Sequence, residues 1–466
     1  MSVVVIVADG LRPDTMEAAM DDGSVPTLTR LRDEGGFHTI TSAFPSVTGP
    51  AYTPFLMGRF PGPVGLPGLR WYDRSRSVAR LPGNSRSYVG AEMRRVDRDL
   101  DPEAPTLFEL VPNCVGALNV INRGLPVNNR IGRGVKFVAR AATTHFRGNV
   151  RGWLSIDRDI GVEIADQIAR KKPDFVFAAL TGIDKTSHSQ GHNAPVVREA
   201  LQIVDETVSR IRNDAEIERR WNGMQLWVVS DHGHSPVTKH EDLIGVVRSF
   251  GLNAIAHPWV YRSGAQAAVM VSGNAMAHIY LDIQKRQRPF WTTKSSKWEE
   301  IASELLARPS VDLMILPLSM SECEVHARSR GHAQMSWNDF TVSYEPMSGD
   351  PIGIGKQTDL DAGEAYEATI ATDYPDSLVQ IARLVSAPRS GEIILSASRN
   401  WDYRSVYEPI PHVSSHGALH RDHMLVPLLT NHPVRGLPRR TVDVMPSALE
   451  ALGIGIPGRL DGESFY

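Results

Sequence analysis

Val3-Val4-Val5-Ile6-Val7-Ala8 runs directly into Asp9-Gly10, and the reading of this stretch decides the fold. A short, unbroken, β-branched run is what a strand buried on both faces of a parallel sheet requires. Two later runs have the same character. Phe175-Val176-Phe177-Ala178-Ala179-Leu180 is followed four residues on by Asp184, and Leu226-Trp227-Val228-Val229-Ser230 meets Asp231-His232. In open α/β sheets, ligands bind beyond the carboxyl ends of the strands. Three strand exits carrying aspartate on one rim would repel one another strongly, so they imply a cation there.

The bulk properties narrow the classes. At 466 residues the chain is long for one core, so two lobes or a large insertion are expected. With 42% hydrophobic and 22% charged residues and a formal net charge of -3, there is no basic excess to bind a nucleic-acid polymer. Cys114 and Cys323 are the only cysteines, which suits a reducing compartment and excludes a disulfide framework. No basic region precedes Val3–Ala8, which reads as a first strand rather than a signal segment. No apolar stretch reaches the roughly 18 residues of a membrane span. A cytoplasmic location is expected.

Residues 1–235 alternate between strand and helix patterns. Val115–Ile121 reads as a further strand, and 159–170 as a helix with Ile160, Ile164 and Ile168 on one face. In 195–212, Val197, Leu201, Val204, Val208 and Ile211 form an apolar stripe, the mark of a helix lying on a sheet. From about 240 to 410 the pattern changes. Ala267–Val271, His278–Leu281, Met314–Leu316 and Thr341–Tyr344 read as strands, with Ser348-Gly349-Asp350-Pro351 as a turn. After 410 the sheet resumes, and a helix starts near Pro446. The expected fold is α/β, a largely parallel central sheet with helices on both faces. Residues 1–239 and 411–466 form its core, and 240–410 an inserted, smaller α+β cap lobe.

Each segment has a bland reading beside a chemical one. Asp184-x-x-x-His188 puts a carboxylate and an imidazole on one face of a helical turn, a pairing suited to zinc but also common on surfaces. Asp231-His232 cannot both point one way in a regular strand. The chain must turn there, and Gly233 would permit it, although Asp231 could instead cap a helix. Thr48 lies just before a helix expected over Tyr52–Met57, with Pro50 at the first helical position. It is either a cap or, where helix N–H groups meet phosphate, a nucleophile. His416-Gly417, alone, reads as structural.

Together these segments resemble the alkaline phosphatase superfamily, and within it the type I phosphodiesterase/nucleotide pyrophosphatase branch. The matching elements are Val7-Ala8-Asp9-Gly10, the Pro-x-x-Thr-x-Pro segment Pro45–Pro50, the turn Gly58-Arg59-Phe60-Pro61, and Asp184–Gly191. Ser230-Asp231-His232-Gly233, His416-Gly417, Thr441–Pro446 and Leu460-Asp461-Gly462 follow in the same order. The resemblance implies a metal-dependent hydrolase of phosphoric (di)esters with two zinc ions, manganese being the alternative. Asp184, His188 and His416 would hold one ion, and Asp9, Thr48, Asp231 and His232 the other, roughly 4 Å away. Thr48 would be the nucleophile and form a phosphothreonine. The partner would be a small phosphoester substrate.

One element departs from the pattern. The branch carries an Asn about twenty residues beyond the nucleophile to hold a phosphate oxygen, and Leu69 stands there in this chain. Arg70 is the nearest replacement, able to grip phosphate bidentately, while Trp71 and Tyr72 could stack on a leaving group. The rival readings are a phosphomonoesterase or phosphonoacetate-like hydrolase with the same metals, a phosphomutase, and a metal-binding protein without turnover. No Cys/Ser-x-Pro-x-Arg segment at the nucleophile supports a sulfatase.

Overall fold

Seven strands form the sheet that carries the three aspartate exits. They are β1 (Ser2–Ala8), β2 (Gly36–Thr41), β3 (Cys114–Ala117), β4 (Arg130–Ile131), β5 (Phe175–Leu180), β6 (Met224–Val229) and β7 (Leu425–Thr430), in the spatial order β2-β7-β6-β1-β5-β3-β4. The structure is a computed structural model describing residues 1–75, 84–257, 264–291, 295–403 and 412–466. β6, β1, β5, β3 and β4 pair in parallel, and only β7 runs against its neighbours β2 and β6. The fold is thus the α/β architecture expected. Among the described residues no helix is long and apolar enough to cross a membrane.

The alternation of side chains across β1 divides the apolar residues between two cores. Val4, Ile6 and Ala8 pack with the stripes of two long helices, α1 (Val150–Lys171) and α3 (Pro195–Ile217), through Ile160, Ile164, Ile168, Val204 and Val208. Val3, Val5 and Val7 face the other way, onto Tyr52, Phe55, Leu56, Met445 and Ala448. With helices on both faces the central strands are wholly buried, which is why they read as unbroken apolar runs. α1 opens on Asn149, whose side chain accepts from Gly152 N at 3.0 Å, and α3 opens with Pro195 in its first turn.

The second sheet has nine strands, all from residues 254–397, inside the stretch expected as the insertion. It is mostly antiparallel and, among the described residues, has more strands than the first. The 410/411 boundary lies outside the described residues. Two element readings need correction. The strand expected over Val115–Ile121 stops at Ala117, because Leu118 takes a φ of 49° and Asn119 Oδ1 turns back to accept from Ile121 N at 3.2 Å. The strand expected over Thr341–Tyr344 runs on through Val342–Gly349, because Ser348 and Gly349 pair with His332 and Gly331 and do not form the turn.

A buried ion pair ties the end of the first core to the second sheet's helices. Arg440 Nε and Nη2 donate to Asp376 Oδ2 and Oδ1 at 2.9 and 2.8 Å, and both side chains are buried. Arg440→Met leaves Asp376 charged without its partner and is expected to cost about 3–5 kcal/mol in denaturant unfolding. Adding Asp376→Leu recovers most of that loss, because the uncompensated charge is then gone.

Candidate metal centre

Three neighbouring strands deliver their acids to one rim. Parallel register sets Val7 beside Val229 and Ala8 beside Leu180, so Asp9 and Asp231, two residues beyond their partners, lie level. Gly10 N donates to Asp231 Oδ1 at 3.3 Å, and Asp9 N to Leu180 O at 3.1 Å. Asp184 sits in the first turn of a short helix, α2 (Gly182–Gln190), just past β5, with His188 one turn on and its Nε2 3.1 Å from Asp184 Oδ1. Asp9, Asp184 and Asp231 are each at most 1% exposed.

Gly10 and Gly233 are required by this crowding. Gly10 has a φ of 79°, and a Cβ there would lie 2.9 Å from the His234 ring. Gly233 does not take a left-handed conformation to make the turn. Its role is close approach, since a Cβ would come within 2.2 Å of Asp422 O. Asp231 caps no helix, and the chain continues into the strand Ser235–His240.

Thr48 is not a cap either. Pro50 opens a 3-10 turn, Pro50–Tyr52, that leads into the helix Thr53–Met57, and no side chain caps it. The Thr48 hydroxyl turns to the acids, 3.1 Å from Asp9 Oδ1 and 3.0 Å from His232 Nε2. His416 Nε2 lies 3.5 Å from Asp184 Oδ1, and the His416 ring stacks on His232 at 3.7 Å. The seven residues of the implied ligand set therefore come together. Two groups have all donor atoms within 4.8 Å of one another: Asp184, His232, His234 and His416, and Asp9, Asp231 and His232.

His234, outside the expected ligand set, also lies among these donors. Residues two apart in extended chain share a face, so His232 and His234 together were a legible signal. By contrast Trp71 and Tyr72, offered as stacking surfaces, are buried: Trp71 packs edge-on against Tyr88 and Tyr72 against Tyr280. Arg70 is half-buried at the head of the strand Arg70–Tyr72, its amide 3.5 Å from Ser272 Oγ, which also accepts from Leu69 N at 3.0 Å. The following turn reaches the centre. Gly273 O accepts from Ser415 Oγ at 2.8 Å, Ala275 N donates to His416 O at 3.1 Å, and Asn274 Nδ2 lies 2.8 Å from His412 Nδ1, whose ring stacks on His188.

The donor chemistry fits metal ions. His188, His232 and His416 each face a main-chain carbonyl with Nδ1: Ser414 O at 2.9 Å, Gly233 O at 3.1 Å and Ser46 O at 3.0 Å. A carbonyl only accepts, so the proton resides on Nδ1 and the Nε2 lone pairs converge on carboxylate oxygens, as supporting partners of metal-bound histidines arrange them. Asp231 Oδ2 is buried without a hydrogen-bond partner. Burial first, then the charge of Asp9, pushes the Asp231 carboxyl up. Burial lowers His232, but Asp231 and Asp9 outweigh it and raise its pKa to about 9, so the field favours a cation at that nitrogen. Burial opposes the charged form of Asp184, yet Lys185 and His188 hold it well below the usual range.

Residues 3–419 match the type I phosphodiesterase/nucleotide pyrophosphatase family. The chain belongs to that family. As a member it is a metal-dependent hydrolase of phosphoric ester bonds. No curated protein sequence matches it. Among solved structures it is similar to phosphonoacetate hydrolase from Sinorhizobium meliloti 1021 in complex with phosphonoacetate (16% identity, TM-score 0.58, covering 97% of this chain and 96% of that one). It is also similar to murine ectonucleotide pyrophosphatase/phosphodiesterase 5, an inactive variant in complex with AMP (14%, TM-score 0.60, 99% and 97%). The human counterpart aligns alike (14%, TM-score 0.58, 99% and 97%). At these identities the likeness is one of fold.

An ion bound by the native state and not by the unfolded chain stabilises the fold by mass action. Elemental analysis of the purified protein is expected to give about two divalent ions per chain, the pairing usual of such phosphatase centres. Dialysis against a chelator should lower Tm, and added zinc should restore it.

Proposed function

We propose that this phosphoester hydrolase is a two-metal phosphodiesterase of the nucleotide pyrophosphatase type, with Thr48 as its nucleophile. The observation that carries the reading is the Thr48 hydroxyl, half-buried between Asp9 Oδ1 and His232 Nε2 and not spent on a helix cap. Asp184, His188 and His416 would hold one ion, and Asp9, Thr48, Asp231 and His232 the other, with zinc the preferred metal. When bound, such ions neutralise phosphate charge and favour the ionised forms of oxygens near them.

The chain's own residues do the rest. Asp9 Oδ1 and His232 Nε2 orient the hydroxyl and are the groups placed to lower the cost of removing its proton. Thr48 Oγ1 attacks phosphorus in line with the leaving group, giving a phosphothreonine. Water then enters from the face that the leaving group has vacated and releases phosphate or phosphomonoester from Thr48. The anchored Nδ1–H groups keep His188, His232 and His416 from rotating during both steps.

A phosphonate hydrolase is the second reading. Leu69 in place of the family's Asn removes a donor to a non-bridging oxygen, and the likeness to phosphonoacetate hydrolase extends over nearly the whole chain. Rates on a bis-nitrophenyl phosphate, a mononitrophenyl phosphate and phosphonoacetate separate the readings, and the diester is expected to be turned over fastest.

Thr48→Ala is expected to cost about a thousandfold or more in kcat on every substrate while the fold and at least one ion are retained. A variant keeping a tenth of the wild-type rate would remove Thr48 from the role. Arg70→Ala is expected to lower kcat/KM by about a hundredfold, the scale of one lost donor to a developing charge, with both ions retained. Arg70→Asn should recover part of the diesterase rate, and wild-type kinetics in the Ala variant would show that Arg70 does not touch phosphate.

A further inference from the structure

His234 is wholly buried, with its Nε2 3.0 Å from Asp184 Oδ1. An ordinary hydrogen bond across that gap needs a proton on Nε2, and the surroundings put the proton on the other nitrogen. Ser414 Oγ donates its single hydrogen to Ser235 O at 2.9 Å. At 3.2 Å from His234 Nδ1, the same oxygen is left to accept from Nδ1–H. Nε2 therefore turns a lone pair towards a carboxylate oxygen, an arrangement that repels unless a cation lies between them.

His423 is the contrast within the same cluster of rings. Ala418 N donates to His423 Nδ1 at 3.0 Å, so Nε2 carries the proton and gives it to Ser235 Oγ at 2.8 Å. Both of its nitrogens are taken by structure, whereas His234 keeps one lone pair free and aimed at an acid.

We propose that His234 is itself a metal ligand, donating Nε2 to the ion held by Asp184 and His416. This rests on the two-metal reading above and adds a donor that the family resemblance does not supply. Tetrahedral donors about 2.0–2.1 Å from zinc stand about 3.3 Å apart. From Asp184 Oδ1, His234 Nε2 at 3.0 Å and His416 Nε2 at 3.5 Å fall on either side of that spacing. Gly10 gives the ring its room, because any larger residue would meet His234 Nε2 at 2.9 Å.

The two metal positions are consequently unequal. Around Asp184 three imidazoles are at hand (His188, His234 and His416), whereas the position beside Thr48 has two carboxylates and one imidazole. Nitrogen ligands favour zinc over magnesium or manganese, and carboxylates do not discriminate as strongly. The Asp184 position is therefore the zinc-selective one, filled first and emptied last.

The test is competition against a chromophoric chelator for the wild-type chain, His234→Ala and His234→Gln, with the absorption spectrum of the cobalt-loaded forms and Tm of the metal-free forms recorded alongside. Glutamine can still donate a hydrogen bond to Asp184 but is a poor zinc ligand, and its near-isosteric amide protects the fold if alanine does not. The wild type is expected to release its ions in two separated steps. In both variants the tighter step should weaken by about a hundredfold or more, the upper end of what losing even a supporting partner costs, and the cobalt spectrum should change. A Gln variant with wild-type release steps and spectrum would overturn the proposal, making His234 only a hydrogen-bond partner of Asp184. A wild-type chain that binds no ion would overturn the two-metal reading itself, and this proposal with it.

Discussion

The site depends on how its imidazoles are tethered. Nδ1–H groups bound to Ser46 O, Gly233 O, Ser414 O and Ser414 Oγ leave four Nε2 atoms turned inward upon three buried carboxylates. These anchors come from the turn that carries Thr48, from the exit of β6 and from the segment before β7, so the arrangement of the imidazoles requires the whole core to be folded. The carboxylates in turn cannot share one rim stably without positive charge between them. Fold and centre therefore specify each other. The sheet sets where the acids emerge, and the charge they share sets what must bind.

The parallel sheet makes this possible through register. β6, β1 and β5 are neighbours, and each chain leaves the sheet at nearly the same height. A shift of one residue would move Asp9 or Asp231 off the rim and put Ala8 or Ser230 in its place. Burial of both faces, through α1 and α3 on one side and the helices after Thr48 and near Met445 on the other, opposes such a shift strongly.

Much of this was legible in the sequence, for a physical reason. Strands buried on both faces cannot alternate polar and apolar residues, so Val3–Ala8, Phe175–Leu180 and Leu226–Val229 announced themselves, and with them the acids that follow. The stripes of α1 and α3 were equally plain, and only their ends were misjudged. His234 stands outside the expected ligand set because its setting depends on Ser414 and Asp184, which lie too far from it in sequence for a spacing rule to register. Trp71 was misread for the opposite reason. An aromatic beside an arginine suggests a binding surface, but Tyr88, just past the strand Ser85–Ser87 that pairs with Arg70–Tyr72, packs edge-on against it. The second sheet was recognised in kind but not in extent, since antiparallel pairing such as that of Ser348 with His332 is settled by register and not by composition.

The turn Ser272-Gly273-Asn274-Ala275 gives the second sheet a thermodynamic part in the chemistry. It grips Leu69 on one side and Ser415, His416 and His412 on the other, and so links the Leu69–Arg70 segment to the imidazole side of the centre. Coupling between binding events is reciprocal. To whatever extent docking of this turn tightens the hold on metal, metal tightens the docking of the turn by the same factor. Through this turn the nine-stranded sheet carries a share of the free energy that holds the centre in place.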